Sequence, residues 1–97
     1  MSRTTRQLVD LGHQIDALRN DLQQSNDQFV ALEEMAEDAR IRAMISETPA
    51  ESISAHEMQA AKERLEGVIR SMNNELDQLL IKRDELLEKL FEESQQG

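Results

Sequence analysis

Apolar residues recur along this chain in alternating steps of three and four. From Leu8 the positions Leu11, Ile15, Leu18, Leu22, Ser25, Phe29, Leu32, Ala36, Ala39 and Ala43 keep that spacing, and Ser25 is their single polar member. A second series starts at Met58 and runs through Lys62, Leu65, Ile69, Met72, Leu76, Leu79, Arg83, Leu86 and Leu90, with Lys62 and Arg83 as its charged members. A mean step of ~3.5 residues held over several heptads keeps an apolar stripe against one partner helix, whereas an ordinary ~3.6-residue period drifts off the contact. The pattern predicts an all-α chain with two long, mutually matched helices.

Between the two series lies the only proline, Pro49, in a stretch from Ser46 to Ser54 rich in helix-starting residues. Two start signals overlap there. In Thr48-Pro49-Ala50-Glu51 the threonine is placed to cap, proline suits the first helical position, and glutamate is placed to reach back. Ser54-Ala55-His56-Glu57 repeats the box, with Ile53 and Met58 spaced as a hydrophobic staple. The second signal is expected to start the long helix, leaving Pro49 to Ser52 as a loose helical turn. One helical-hairpin domain over residues 1–97 is then expected, with a helix over about 5–45, a turn over about 46–54 and a helix over about 55–92. Both ends, Met1 to Arg3 and Glu92 to Gly97, are expected to fray.

Helices of ~40 residues, ~60 Å each at ~1.5 Å per residue, fold back antiparallel when the connection is this short. If facing residue numbers add to about 101, Leu22 meets Leu79, Phe29 meets Met72, Leu32 meets Ile69, Ala36 meets Leu65 and Ala43 meets Met58, so small faces large near the turn. Asp21 then approaches Lys82, and Arg40 approaches Glu66. A sum near 94 suits the tighter turn at Thr48 and ranks second, because it sets Lys62 against Leu32 and Arg83 against Leu11.

Val9, Val30, Ile41, Leu80, Ile81, Leu87 and Phe91 fall beside or away from the seam. At ~1.5 to 3 kcal/mol for each fully buried large side chain, their exposure favours a cover. A second hairpin would supply it. The expected architecture is an antiparallel two-helix coiled-coil hairpin that dimerises into a four-helix bundle, or docks this face on another protein.

Composition agrees with a seam in place of a globular core: 38% of residues are hydrophobic but 2% aromatic. No cysteine is present, which excludes disulfides, thiolate metal sites and thiol nucleophiles. A net charge of -9 opposes attraction to nucleic acid and to anionic membranes and makes proteins the expected partners. No apolar run approaches the ~20 residues of a membrane span, and the first residues lack a signal peptide's apolar stretch, so a cytoplasmic location is expected.

Candidate chemistry is sparse. His13 and His56 fall far apart in the hairpin, and neither has a histidine or cysteine at helical spacing, so no metal site is expected. Glu33, Glu34, Glu37 and Asp38 make an acidic helix face answered by Arg40 and Arg42, without the glycine of a calcium loop. Asp38 with Arg42, Glu66 with Arg70 and Glu85 with Lys89 are spaced as helix-supporting pairs. The hydroxyls gather at the turn, where capping explains them, and no catalytic constellation or cofactor site is expected. Ala36, Ala39 and Ala43, with Met35, Met44, Met58 and Met72 around them, give the turn end a narrow, adaptable seam.

The stretch Arg40-Ile41-Arg42-Ala43-Met44-Ile45-Ser46-Glu47-Thr48-Pro49, followed by a second charged helix, resembles a group of small, acidic actinobacterial helical-hairpin proteins. That resemblance implies a bacterial cytoplasmic protein and no biochemical role. Ser46-Glu47, with Ala60-Ala61-Lys62-Glu63-Arg64 after an acidic turn, is similar to the coiled-coil domain of Gre-type transcript cleavage factors. Their hairpin enters the RNA polymerase secondary channel and offers tip carboxylates to the catalytic magnesium. By that resemblance Glu51 matches one tip acid, whereas the other position holds Ser54, and these 97 residues have no counterpart of the globular docking domain. Length and layout also resemble the small WXG-type proteins, but this chain has no tryptophan for their turn.

The functional expectation is a non-enzymatic interaction or oligomerisation module that pairs with itself and with an unidentified protein. Its partner-binding candidates are Leu80, Ile81, Leu87, Phe91, Val30, Ile41, Glu47 and Glu51. The alternative is a transcription regulator that engages RNA polymerase through the acidic tip or mimics nucleic acid by its negative charge.

Overall fold

Ser2 starts the first helix. In the computed structural model, which describes residues 2–96, its Oγ accepts the Thr5 N–H at 3.1 Å and its carbonyl accepts the Arg6 N–H at 3.0 Å. Both bonds satisfy donors that a helix N-terminus leaves orphaned. Helix α1 then runs over Arg3–Ser46 and helix α2 over Pro49–Gln96, and the two pack as a hairpin.

The connection is shorter than expected. Ser46 Oγ donates back to the Arg42 carbonyl at 2.8 Å, and the Glu47 N–H still reaches the Ala43 carbonyl at 3.2 Å while Glu47 itself turns to φ 54°. That left-handed residue ends α1. Thr48 caps α2 at once: its Oγ1 accepts the Glu51 N–H at 3.3 Å and its carbonyl accepts the Ser52 N–H at 3.1 Å. Pro49 takes the first helical position, where a missing amide costs nothing. The expected loose turn over Pro49 to Ser52, with a restart at Ser54, is therefore corrected to a continuous helix from Pro49. A start at Ser54 would strand backbone groups that the first cap pairs. Ile53, the expected staple residue, is instead 58% exposed on the helix surface.

The chain forms two compact units, each drawing on both helices: one takes in the chain up to Leu22 and from Met72 onward, the other Gln23–Ser71. In the first unit, which holds the chain ends, Leu11, Ile15 and Leu22 are buried and Leu8 and Leu18 half-buried, faced by half-buried Leu76, Leu79, Arg83, Leu86 and Leu90. The seam extends one step further at each end. Thr4 is buried and its Oγ1 donates to Glu93 Oε1 at 2.8 Å. Helix α2 runs on to Gln96, past the expected end near 92, and Glu93 is tied by that bond to the other helix, while Met1 and Gly97, also expected to fray, lie outside the described residues.

In the second unit, which holds the turn, Ser25, Ala36 and Ala39 are buried, with Phe29, Leu32 and Ala43 half-buried. From α2, Ala55, Met58, Lys62, Leu65 and Ile69 close over them without any becoming buried. Among the described residues no buried side-chain nitrogen or oxygen lacks a hydrogen-bond partner.

Register follows from the turn. Thr4 meets Glu93 and Leu11 shares a depression with Leu86 in the first unit, while Glu33 meets Lys62 in the second. Their numbers add to about 95–97, close to the sum near 94 that a turn at Thr48 demands and short of 101. Correspondingly, Lys62 Nζ lies 6.0 Å from the centre of the Phe29 ring. Of the ion pairs expected from the longer turn, neither Asp21 with Lys82 nor Arg40 with Glu66 forms among the described residues.

Two outcomes follow for thermal or urea unfolding. Ile15→Ala, at a position only 2% exposed, should cost about 2–4 kcal/mol, while Ile53→Ala, 58% exposed on the helix surface, should cost less than about 0.5 kcal/mol. Glu47→Gly should raise stability by roughly 0.5–1 kcal/mol, the relief of a left-handed non-glycine residue less the added freedom of the unfolded chain.

Candidate interaction surface

A helix with one neighbour has two flanks beside its seam, and in the unit of the chain ends these flanks differ. On one, Gln7, Gln14 and Lys82, with Asp10, frame an open depression of about 190 Å³ floored by Leu11 and Leu86. It is polar and shallow. Helical spacing sets Thr5 and Gly12 of α1 on the other flank, together with Leu80 and Leu87 of α2, since residues seven apart share a helix side and antiparallel neighbours present like flanks to one another. Val9 and Phe91 continue this flank outward. Leu80 is half-buried, and Leu87 and Phe91 are 48% and 64% exposed. Three of the expected partner-binding residues, Leu80, Leu87 and Phe91, are thus gathered on one side. Ile81, one residue along from Leu80, is turned to the outer surface of α2 and is exposed.

In the unit of the turn the expected residues do not converge. Val30 and Ile41 are both exposed on α1, but eleven residues separate them, about 16 Å along the helix. Glu47 is exposed in the turn, whereas Glu51 is half-buried in the first turn of α2. Met35, Met44, Ile45, Ile53 and Val68 add exposed apolar surface outside the expected set. Met35 and Val68 fall on the flank beside the seam, a placement already implied by their distance of one residue from Ala36 and Ile69. Arg40 Nη1 donates to the Met44 sulfur at 3.2 Å.

Electrostatics in this unit are local. Glu33, Glu34, Glu37 and Asp38 line an open depression of about 340 Å³. Arg40 grips Glu37 with two bonds, Nη2 to Oε1 at 2.7 Å and Nε to Oε2 at 3.1 Å. Those hydrogen bonds first, and the guanidinium charge second, hold the Glu37 carboxyl below its usual range, and the same contacts raise Arg40. The support is present above the ordinary carboxylate pKa and is lost as pH falls through the lowered one. This pairing within one helix is what occupies Arg40 in place of Glu66.

Lys62 is the charged residue drawn into the seam of this unit, as Arg83 is in the other. Its amine stands 4.0 Å from Glu33 Oε2, over the Phe29 ring, so the stem lies along apolar surface while the head finds a carboxylate and a π-face. His13 and His56 are exposed. Among the described residues no group of three or more histidine, cysteine, aspartate or glutamate side chains is placed to hold a metal ion. Nor, among them, is any helix long and apolar enough to cross a membrane. The chain matches no protein-family model, no curated protein and no solved structure.

A cation at one seam position costs stability and restricts register and association state. Lys62→Leu should therefore raise the thermal midpoint, by the equivalent of about 1 kcal/mol, while light scattering shows larger or mixed assemblies. A lower midpoint with an unchanged particle size would assign Lys62 a purely stabilising role.

Proposed function

We propose that this chain is a non-enzymatic interaction and oligomerisation module: a coiled-coil hairpin that pairs with a second copy as a four-helix bundle and presents its remaining exposed surface to another protein. One observation carries the reading. The seams of both helices are fully engaged with each other, yet no residue of α2 is buried and a set of large apolar side chains remains outside the seam. Leucine, phenylalanine and isoleucine left in water forgo burial free energy of ~1.5 to 3 kcal/mol each, which a partner surface recovers in part. The same residues offer no nucleophile, base or electrostatic device that chemistry would need. The acidic balance directs the choice of partner towards proteins, and a chain without cysteine suits a cytoplasmic location.

Analytical ultracentrifugation at micromolar concentration should give a dimer. Leu80→Glu combined with Leu87→Glu should convert it to a monomer with a lower thermal midpoint, because each carboxylate would have to enter an apolar contact. A strictly monomeric wild type whose stability ignores both substitutions would sink the reading.

A further inference from the structure

Glycine is absent from the turn. The chain's glycines are Gly12, Gly67 and Gly97, so the residue that ends α1 in the left-handed region is Glu47, at φ 54°, where glycine or asparagine is the usual occupant. On either side the sequence would continue a helix: neither Arg40 to Glu47 nor Ala50 to Glu57 contains a glycine or a proline. What stops α1 is therefore Pro49. In an uninterrupted helix its ring would strike the Ile45 carbonyl, four residues back, and leave that oxygen without a donor, while Thr48 would be forced out of helical backbone. In the hairpin the same residue is unstrained, since it stands at the first position of α2 behind the Thr48 cap.

The form that Pro49 excludes is well defined. From Ala43, the last seam residue of α1, to Met58 of α2 is fifteen residues, four turns at ~3.75 residues each, a stutter that a coiled coil absorbs. A chain straightened at residues 47–49 would carry both seams on one continuous face and pair them, α1 against α2, with those of a second straightened copy. The seam contacts would be kept, and Glu47 would be relieved of its left-handed backbone. Strained, short connections are where such an exchange of elements between copies starts. Steps of four from Ala43 also bring Glu47 and Glu51 into that continuous seam, beside the carboxylates of the other copy, so charge repulsion opposes the straightened form along with the proline.

We infer that Pro49 is a latch: it holds the chain as a closed hairpin, and without it the chain opens at residues 47–49 into one helix that exchanges α2 with a second copy. This exchange is distinct from the pairing of closed hairpins proposed above and does not depend on it, because the copies share their seams instead of docking on a flank.

The absence of cysteine makes the test direct. Arg6→Cys and Gln95→Cys, both at exposed positions in the unit of the chain ends, place a donor and an acceptor dye close together in the hairpin and roughly 130 Å apart along a straightened helix. Doubly labelled chains are refolded from urea with an excess of the same unlabelled chain, at micromolar and at near-millimolar total concentration, so that energy transfer reports the ends of one chain alone. The wild type should keep its transfer at both concentrations. Pro49→Ala should lose transfer as concentration rises, its open fraction increased about a hundredfold per chain, and Glu47→Ala with Pro49→Ala should lose it at lower concentration, with circular dichroism showing helix undiminished. Transfer retained by the double variant at near-millimolar concentration overturns the latch; so does transfer lost together with helix, or lost already in the wild type. A dimer of closed hairpins keeps transfer and is detected by sedimentation, so the two readings fail separately.

Discussion

Each helix of a hairpin has a single neighbour, and that constraint governs what this chain is able to bury. Two cylinders in contact enclose a strip, so a side chain is fully covered only if it lies near the strip's centre line and is overlapped from across it. Residues of α1 meet that condition at Leu11, Ile15, Leu22, Ala36 and Ala39. Those of α2 never do, and they remain half-buried even at leucine. Size accounts for the asymmetry near the turn, where alanine and serine of α1 sink beneath the longer side chains of α2; in the other unit Leu11, Ile15 and Leu22 are covered although they are as large as the leucines facing them. A third or fourth helix would be the physical remedy, which is why the proposed association rests on packing and needs no separate motif.

The second determinant is the two-residue connection. Accepting a left-handed glutamate costs on the order of 1–2 kcal/mol, yet it brings Thr48 into capping position immediately and saves the backbone of residues 49–52 from standing unpaired. Register is inherited from that choice. With the turn this tight, Lys62 comes to the Phe29 ring and Glu33, not to the place that a wider turn would give it. A polar residue in the seam becomes tolerable because the stem is apolar and the head reaches an anion at the margin. The favourable contacts expected for the wider register, alanine beneath leucine and methionine, did not outweigh backbone hydrogen bonds at the turn.

Spacing alone therefore revealed which residues line the seam, and it did so at every position from Leu8 to Ala43 and from Met58 to Leu90, because a 3-4 alternation admits one helical face. It revealed less about ends. The sequence contained both cap signals, and choosing between them required knowing that α2 gains paired amides by starting at Thr48. Thr4 and Glu93 were legible by the same spacing, four residues before Leu8 and three after Leu90, but they are polar and so invisible to a count of apolar residues. Their 2.8 Å bond shows a seam ending on a hydrogen bond where burial gives out. For the surface, helical periodicity sufficed to group Leu80, Leu87 and Phe91, and it set Ile81 apart.

Charge constrains how so acidic a chain could pair with a copy of itself in the proposed assembly. Like charges spread evenly along both helices raise the cost of bringing two copies together, and screening removes part of it. An interface that succeeds under such conditions must place apolar contact where charges are fewest. By the same helical spacing, the flank that carries Leu80, Leu87 and Phe91 also carries two carboxylates, Asp84 of α2 and, seven residues beyond Val9, Asp16 of α1. The opposite flank carries Asp10 and Lys82, so neither side of the seam is free of charge. In the proposed pairing these carboxylates would have to stay in water at the rim while the leucines occupy the centre of the contact, because an unpaired charge carried into an apolar interface costs more than the leucines recover.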